Sequence, residues 1–397
     1  MNQPQLAHTL AEMLPEMVQP QPGTDLANAQ LLVLNEELAR ELDLDPAWLR
    51  SAEGTQWLAG SQGGHAMAYS GHQFGQFVPL LGDGRATLLG DLPGSGETSG
   101  YEIQLKGSGL TAFSRPGSDG AGAIGPMLRE YLVSEFMHAA GISTTRSLAV
   151  LTTGEHVIRQ QGGVPGGIVV RVAKSHLRIG SVQYAATQSA ELVEKVIHAA
   201  GFDSPVALLE HTLDSQLALV AKWMRIGFIH GVMNTDNAAL SGETIDYGPC
   251  AFTETYDPDA VFSSIDTRGR YRFGHQPSIA VWNVARLAEA LLGVMEQDKA
   301  QSILGQAQQR WDAAWHTEVP NPEELAAAED LFGFNGIMFG PRNGMLERAI
   351  VEAERNGNLE PFLELARATQ APFNPDAGPE WMKAPEGAFP FQTFCGT

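Results

Sequence analysis

The chain has 397 residues, of which 43% are apolar and 8% aromatic, a composition typical of a folded globular protein. Its 46 acidic side chains outnumber 25 basic ones, and the net charge of -21 argues against nucleic acid and anionic membranes as partners. The sequence opens without a secretory leader, contains no apolar run of membrane-helix length and has two cysteines, so we expect a cytoplasmic protein without membrane or nucleic-acid partners.

The first 175 residues carry patterns typical of β-strands and one helix. Runs of β-branched and apolar residues between glycine-rich turns predict strands, and apolar residues at helical spacing before Gly141 predict a helix. The predicted strands are "RATLLGDL" (85–92), "YEIQLKG" (101–107), "RSLAVLTTGEHVIRQ" (146–160) and "GGIVVRVA" (166–173), and the predicted helix is "IGPMLREYLVSEFMHAAGI" (124–142). We therefore expect a small antiparallel sheet that carries one helix.

After about residue 175 the pattern becomes helical. Apolar residues at helical spacing predict helices in "SAELVEKVIHAAGF" (189–202), "VALLEHTLDSQLALVAKWMRIGF" (206–228), "AVWNVARLAEALLGVM" (280–295) and "NGMLERAIVEAERNG" (343–357). The residues from 371 onward are rich in Pro, Phe and Gly, which indicates an extended tail.

Between these helical segments lies "HGVMNTDNAALSGETIDYG" (230–248). Kinases place a metal-binding asparagine eighth from the histidine of H-R-D-x-x-x-x-N, and a metal-binding aspartate in a D-F-G turn. Asn237 and Asp246 occupy these positions, whereas Val232 stands where a kinase has its catalytic aspartate. Each element alone is as typical of an ordinary turn. Their combination favours a kinase-like site for ATP and Mg²⁺.

Lys106 and Glu130 fit the same pattern. Lys106 ends a predicted strand, as the kinase lysine ends V-A-I-K, and Glu130 lies on the predicted helix that follows. An ion pair between them would hold the lysine over phosphates. The alternatives are a solvated lysine at a strand end and a carboxylate on a helix surface.

Three more segments are candidates for phosphate binding. "LGDGR" (81–85) is a tight glycine turn, and "GLTAFSRPGSDGAGAIG" (109–125) leads into the N-terminus of the predicted helix. "RVAKSHLRIG" (171–180) gathers two arginines and a lysine into a local basic pocket. The alternatives are an ordinary turn, a mobile loop and surface ion pairing.

These patterns together predict an α+β chain with a protein-kinase-like two-lobed fold. It has a small β-rich N-lobe with one key helix and a larger, mostly helical C-lobe, with the ligand site between them. The predicted parts are an N-terminal extension packed on the lobes (1–60), a nucleotide-binding N-lobe (61–175), a helical C-lobe with the catalytic loop and metal site (176–370) and an extended tail (371–397).

Several long motifs resemble the SelO/YdiU family, pseudokinases that transfer AMP from ATP to protein hydroxyls. The motifs are "YSGHQFG" (69–75), "LGDGR" (81–85), "LKGSG" (105–109), "RVAKSHLRIG" (171–180) and "HGVMNTDN…IDYGP" (230–249), and the resemblance runs from about residue 28 to the C-terminus. It implies AMP transfer to Ser, Thr or Tyr of protein substrates, with Mg²⁺ or Mn²⁺ and with ATP flipped relative to kinases.

The resemblance also implies roles for individual residues. Asp236 matches the proton acceptor, Asn237 and Asp246 match the metal ligands, and Glu130 matches the partner of Lys106. An ionised Asp236 beside Mg²⁺ is expected to keep a low pKa and to orient the hydroxyl. The implied nucleotide-binding residues are Gly82, Gly84, Arg85, Lys106, Asp119, Gly120, Arg171, Arg178 and Asp246.

The sequence also departs from the family pattern. The loop before Asp119 is one residue longer than usual, and the segment between about residues 315 and 331 is shorter than in many relatives. Cys395 stands near the C-terminus, where relatives carry Cys or selenocysteine. A redox switch formed by Cys250 and Cys395 is a hypothesis.

Other functions remain open at this point. They are UMP transfer with Mn²⁺, an ordinary phosphotransferase or kinase, and a non-catalytic nucleotide-binding scaffold. Val232 argues against the kinase, because that chemistry places its base there. Retention of Lys106, Glu130, Asn237 and Asp246 argues against the scaffold.

Overall fold

The computed structural model describes residues 3–24, 26–94, 98–159, 162–382 and 391–393, and they form a mixed α+β structure. The strands are β1 (Val18–Gln21), β2 (Gln30–Leu34), β3 (Gly64–Met67), β4 (Gly71–Gln73), β5 (Gln76–Val78), β6 (Ala86–Asp91), β7 (Glu102–Lys106), β8 (Gly122–Ala123), β9 (Arg146–Arg159), β10 (Gly162–Ala173), β11 (Phe228–Ile229) and β12 (Ala251–Phe252). The α-helices are α1 (Thr9–Met13), α2 (Glu36–Glu41), α3 (Pro46–Leu49), α4 (Ala52–Leu58), α5 (Ile124–Ala139), α6 (Ile179–Gln188), α7 (Ala190–Ala199), α8 (Pro205–Arg225), α9 (Gln276–Ala290), α10 (Gln297–Leu304), α11 (Ala307–Glu318), α12 (Pro322–Ala326), α13 (Leu331–Phe334), α14 (Asn343–Asn356) and α15 (Glu360–Thr369).

One antiparallel sheet forms the N-terminal half, with the strand order β1-β3-β6-β7-β10-β9-β2 and β8 paired to β10. Side chains alternate between its faces along each strand. Val150 and Val169 join the core built around α5, whereas Leu151 and Val170 join a second core with α2, α3 and α4. The inner strands are therefore buried on both faces, which explains their nearly continuous apolar sequences.

The first sixty residues supply both edge strands of this sheet. β1 pairs antiparallel with β3, and β2 pairs antiparallel with β9. The sheet is thus larger than the small sheet expected, because these short edge strands lack the β-branched runs that identified the inner ones. The four-part division of the chain stays a prediction.

The predicted inner elements are present as β6, β7, β9, β10 and α5, and the predicted helices as α7, α8, α9 and α14. Helix α8 begins where the Ser204 side chain accepts the Ala207 N–H, with Pro205 as its first residue. It packs against α9 and α11. Among the residues that the structure describes, no helix has both the length and the apolar character needed to cross a membrane.

The segment 230–248 is fastened at both ends. β11 precedes it and β12 follows it, and the two pair antiparallel, with Phe228 opposite Phe252. Within it, the His230 ring Nε2 lies 2.9 Å from the backbone oxygen of Ile245. This closure brings the two halves of the segment together.

Candidate active site

A cavity of about 840 Å³ lies between the sheet and the segment 230–248. Most of the residues predicted to form the site line it: Gly82, Gly84, Arg85, Lys106, Asp119, Arg171, Arg178, Asp236, Asn237 and Asp246. Val232 lines it too. Glu130 and Gly120 are not part of the described cavity wall.

Lys106 connects the sheet to the segment 230–248. Its Nζ donates to Glu130 Oε2 at 2.7 Å and to Asp246 Oδ1 at 2.5 Å. Lys106 is 6% exposed and Glu130 1%, so the solvated-lysine and surface-carboxylate alternatives are wrong. Burial raises the pKa of Asp246, but the charges of Lys106 and Arg171 outweigh it and hold that pKa far below its usual range.

Arg171, on β10, contacts the other side of Glu130. Its Nε donates to Glu130 Oε1 at 2.9 Å and its Nη1 to Gln104 Oε1 at 3.1 Å. Gln104 donates in turn to Asp83 Oδ2 at 3.2 Å. Gln104 and Asp83 were not predicted. The available signal was that Gln104 stands two residues before Lys106 and so shares its face of β7.

Arg178 precedes α6 and is 5% exposed. Its Nη1 donates to the backbone carbonyl of Asp236 at 3.0 Å, and its guanidinium lies 4.4 Å from the centre of the Tyr69 ring. Arg178 therefore holds the loop of Asp236 as well as lining the cavity. Lys174, from the same predicted basic pocket, is exposed and does not line the described cavity. The basic pocket therefore consists of Arg171 and Arg178, and Lys174 is not part of it. Both arginines are buried, so the alternative of ion pairing on the surface is wrong for them.

Asp236 lies in a 3-10 turn, Thr235–Asn237, and is 8% exposed. Its Oδ1 is buried and has no hydrogen-bond partner among the described residues, and its Oδ2 lies 3.5 Å from Gln73 Nε2. Burial raises the pKa of Asp236 to about 6, against the lowering effect of its backbone contact and Arg178. From the sequence, a low pKa is expected for Asp236 beside Mg²⁺. In the protein without a bound metal ion, the pKa of Asp236 is raised instead. The Oδ1, unpartnered in the described part of the chain, is an oxygen that is available to accept a hydrogen bond or a proton.

The hairpin of β4 and β5 holds this loop through its backbone. His72 N–H donates to Thr235 Oγ1 at 2.7 Å, and Phe74 N–H donates to Asn234 Oδ1 at 3.0 Å. The motif "YSGHQFG" contains β4 and the turn of this hairpin, but the sequence did not predict its contact with the loop of Asp236. The approach is close, because a Cβ at Gly71 would lie 2.3 Å from Asp236 Oδ1.

Asn237 and Asp246 fit a magnesium site. Both offer oxygen atoms, the ligands that Mg²⁺ prefers. Asn237 Nδ2 donates to the Val232 carbonyl at 3.0 Å, which leaves the amide oxygen for a cation. No group of three or more His, Cys, Asp or Glu suited to a metal occurs in the described residues. Two protein oxygens, completed by phosphate and water, are a common arrangement for Mg²⁺.

The glycine turn before β6 forms another part of the wall. Gly82 has φ of 70°, and a Cβ there would lie 2.5 Å from Phe113 Cγ, so this position needs glycine. Gly84 and Arg85 line the cavity beside it. The positive charge of Arg85 contributes to the lowered pKa of Asp246.

Asp119 and Gly120 are placed differently from each other. Asp119 lines the cavity, but its carboxylate pairs with Arg159 Nη1 at 2.7 Å. Gly120 is buried, and its carbonyl accepts the Gly109 N–H at 3.2 Å. Their predicted contact with nucleotide stays a prediction.

A family model described as protein adenylyltransferase SelO matches residues 5–321. The chain belongs to the SelO family. A protein nucleotidyltransferase YdiU of Mycolicibacterium paratuberculosis (strain ATCC BAA-968 / K-10) is 41% identical over 97% of this chain and 96% of the relative. Its namesake in Methylorubrum extorquens (strain PA1) is 51% identical over 76% of this chain and 64% of the relative. This SelO-family chain is therefore a nucleotidyltransferase.

This SelO-family chain has fewer residues than the M. paratuberculosis relative. The alignment with the M. paratuberculosis relative spans 479 positions, more than the 397 residues present here, so that relative contains internal residues that this chain lacks. The family match ends at residue 321, inside the segment predicted to be shortened. There the structure has α12 and a small core of Val319, Leu325 and Leu331.

The hypothesis of a redox switch concerns Cys250 and Cys395. Cys395 lies outside the described residues. Cys250 is 1% exposed, and burial raises the pKa of its thiol to about 12. A thiol with that pKa is a weak nucleophile at neutral pH. The redox switch stays a hypothesis.

Proposed function

We propose that the protein transfers AMP from ATP to Ser, Thr or Tyr hydroxyls of other proteins, with Mg²⁺ as the cation. The observation that carries this proposal is Asp236, a buried carboxylate with an unpartnered oxygen that lines the same cavity as Lys106 and Asp246. Val232, 3% exposed, also lines the cavity and offers no base. The description of the matching family model supports AMP as the group transferred.

The proposal includes a protein-kinase-like fold of two lobes. The sheet with α5 would form the small lobe, and α6 to α15 the larger one. The cavity between them and the Lys106–Glu130 ion pair support this arrangement. ATP would lie flipped relative to kinases, with its α-phosphate toward the protein substrate.

In the proposed reaction, the substrate hydroxyl oxygen bonds to the α-phosphorus of ATP. The bond from that phosphorus to the oxygen bridging to the β-phosphate breaks, and pyrophosphate leaves. Asp236 accepts the hydroxyl proton, while Lys106 and Arg171 stabilise negative charge on the phosphates. Asn237 and Asp246 would hold Mg²⁺, which when bound neutralises phosphate charge and fixes phosphate geometry.

The test is intact-mass measurement of the protein and of added acceptor peptides after incubation with Mg²⁺ or Mn²⁺. ATP labelled at the α- or γ-phosphate, and UTP labelled at the α-phosphate, are compared. We expect gain of an AMP unit, lost in Asp246→Ala because that variant lacks a metal ligand. Gain of phosphate would establish a kinase, gain of UMP a uridylyltransferase, and no gain with any nucleotide would favour the scaffold.

A further inference from the structure

Large apolar side chains are exposed on the cavity wall and on the β4–β5 hairpin, whose residues Gln73 and Phe74 line it. Three belong to or follow the β4–β5 hairpin: Phe74 is 36% exposed, Phe77 44% and Leu80 52%. Ile265, 43% exposed, lines the cavity together with Phe74. Exposed apolar side chains grouped at a site mark an interaction surface more often than scattered ones do.

The turn of the β4–β5 hairpin holds Phe74 in a backbone conformation that bulky residues disfavour. Phe74 and Gly75, its central residues, have φ of 51° and 84°. Positive φ suits glycine but is an outlier for a bulky residue, and such outliers concentrate at functional sites. The Phe74 N–H is held by Asn234 Oδ1 at 3.0 Å and the Tyr271 hydroxyl at 3.1 Å. The fold thus retains an exposed aromatic ring on the cavity wall.

Two arginines give this region positive charge in a chain of net charge -21. The Arg270 guanidinium lies 4.7 Å from the centre of the Trp282 ring, and its Nε and Nη2 are buried without hydrogen-bond partners in the described residues. A Cβ at Gly75 would lie 3.4 Å from Arg270 Cζ, which places this cation beside the turn. Arg115 is exposed and donates to Gln73 Oε1 at 3.1 Å.

The same hairpin also reaches the proton acceptor. Gln73, next to Phe74, lies 3.5 Å from Asp236 Oδ2. Lys106 and Arg171, in contrast, approach the site from β7 and β10. A protein segment lying on the hairpin would therefore present a hydroxyl beside Asp236.

The exposed apolar residues of the hairpin region and the two arginines beside it form what we name the acceptor surface: Phe74, Phe77, Leu80, Arg115 and Arg270. We propose that the acceptor surface binds the substrate segment that carries the hydroxyl, and that it selects segments whose apolar residues are flanked by acidic ones. This inference rests on the proposed function, because it requires a protein acceptor.

The protein's overall charge alone predicts the opposite selectivity, a preference for a lysine-flanked segment. A net charge of -21 repels an acidic peptide at long range. At physiological salt that repulsion is screened beyond about 8 Å. Short-range contacts with Arg115 and Arg270 therefore determine which peptide binds more tightly. A preference for an acidic peptide would therefore show that the acceptor surface, and not the net charge of the protein, determines selectivity.

The experiment measures fluorescence anisotropy of two labelled peptides with the same Leu-Ser-Tyr-Leu core, flanked by glutamates in one and by lysines in the other. We expect the glutamate peptide to bind about tenfold tighter or more. Phe77→Ser and Leu80→Ser should each weaken its binding about fivefold, and Arg270→Gln should reduce its preference over the lysine peptide. Phe334→Ser is the matched control, since Phe334 is 46% exposed and belongs to α13, outside the hairpin region.

Equal binding of the two peptides, or tighter binding of the lysine peptide, would overturn the proposal. So would an affinity for the glutamate peptide that Phe77→Ser and Leu80→Ser leave unchanged, together with a preference that Arg270→Gln leaves unchanged. Loss of a dimer in Leu80→Ser, seen by sedimentation, would assign the surface to a second copy of the chain instead. Peptide binding requires no transfer, so AMP transfer can fail in the labelled-nucleotide test while the acceptor surface stands, and the reverse also holds.

Discussion

The amide of Gln73 contacts the carboxylate of Asp236, with 3.5 Å between Nε2 and Oδ2. Arg115 fixes which end of the amide faces the carboxylate, because its Nη2 donates to Gln73 Oε1 at 3.1 Å and a guanidinium has no acceptor. The amide N–H therefore points at Asp236. Gln73 is thus a positioning residue for the proposed proton acceptor, although the two residues are 163 positions apart.

Replacing Gln73 should affect turnover more than nucleotide binding. In Gln73→Leu the carboxylate loses its side-chain contact, and we expect kcat to fall about tenfold with unchanged nucleotide affinity. Gln76→Leu is the matched control, because Gln76 is exposed and pairs with Gln73 in the same hairpin. Equal losses in both variants would show that the hairpin matters as a whole and that the Gln73 contact does not.

Gly71→Ala should push directly on Asp236. The added Cβ would lie 2.3 Å from Asp236 Oδ1, a distance at which an atom must move. We expect kcat to fall between about tenfold and a hundredfold, measured with thermal unfolding of the same sample. Gly293→Ala is the control, since the nearest heavy atom to its Cβ would be 3.9 Å away. Full activity in Gly71→Ala would refute this close approach.

Glu130→Gln should destabilise the fold as well as the site. It leaves Arg171 buried with neutral hydrogen-bond partners and Lys106 with Asp246 as its remaining ion-pair partner, and breaking buried charge pairs costs roughly 3 kcal/mol or more. Urea unfolding would measure the loss. Glu36→Gln offers the comparison, because Glu36 pairs with Arg40 and Arg50 on the surface and little change is expected there. Similar effects of the two substitutions would contradict the buried geometry.

The buried carboxyl group of Glu102 should make the free energy of unfolding depend on pH. Burial raises its pKa from 4.5 to about 8, although the His176 backbone N–H, 2.6 Å from Oε2, lowers it. The folded chain then holds a proton that the unfolded chain releases. The stabilising contribution is complete below about pH 4 and is lost as the pH rises to about 8, at no more than about 1.4 kcal/mol per pH unit. Glu102→Gln should flatten this slope in urea unfolding followed across that range. An unchanged slope would count against the raised pKa.

The kinase-like residues could be predicted because their order and spacing along the chain match a known pattern. The structure shows how these residues come into contact. Lys106, Glu130 and Asp246 form one ion-pair cluster because a strand end, a helix and a turn converge there. Their roles with nucleotide remain proposals. Gln73 and Gln104 escaped prediction because their partners come from distant segments, and the one available signal, the face of β7 that Gln104 shares with Lys106, does not identify those partners.

The edge strands show the same limit in the fold. β1 includes Pro20 and alternates little, yet it pairs with β3 over four residues. Its place depends on the neighbouring strand and on the core beneath it. Inner strands such as β10 were predictable because burial on both faces requires an apolar sequence.

The pairing of β11 with β12 makes the segment 230–248 a closed loop with its own base. The proposed proton acceptor and both proposed metal ligands lie on that loop, so their separations are set within it. Helical regions that follow β12 can then change in length between SelO-family members without altering the distances among these groups. The shortening predicted near residues 315–331 would therefore leave the distances within this loop unchanged and would act on which partner proteins can approach.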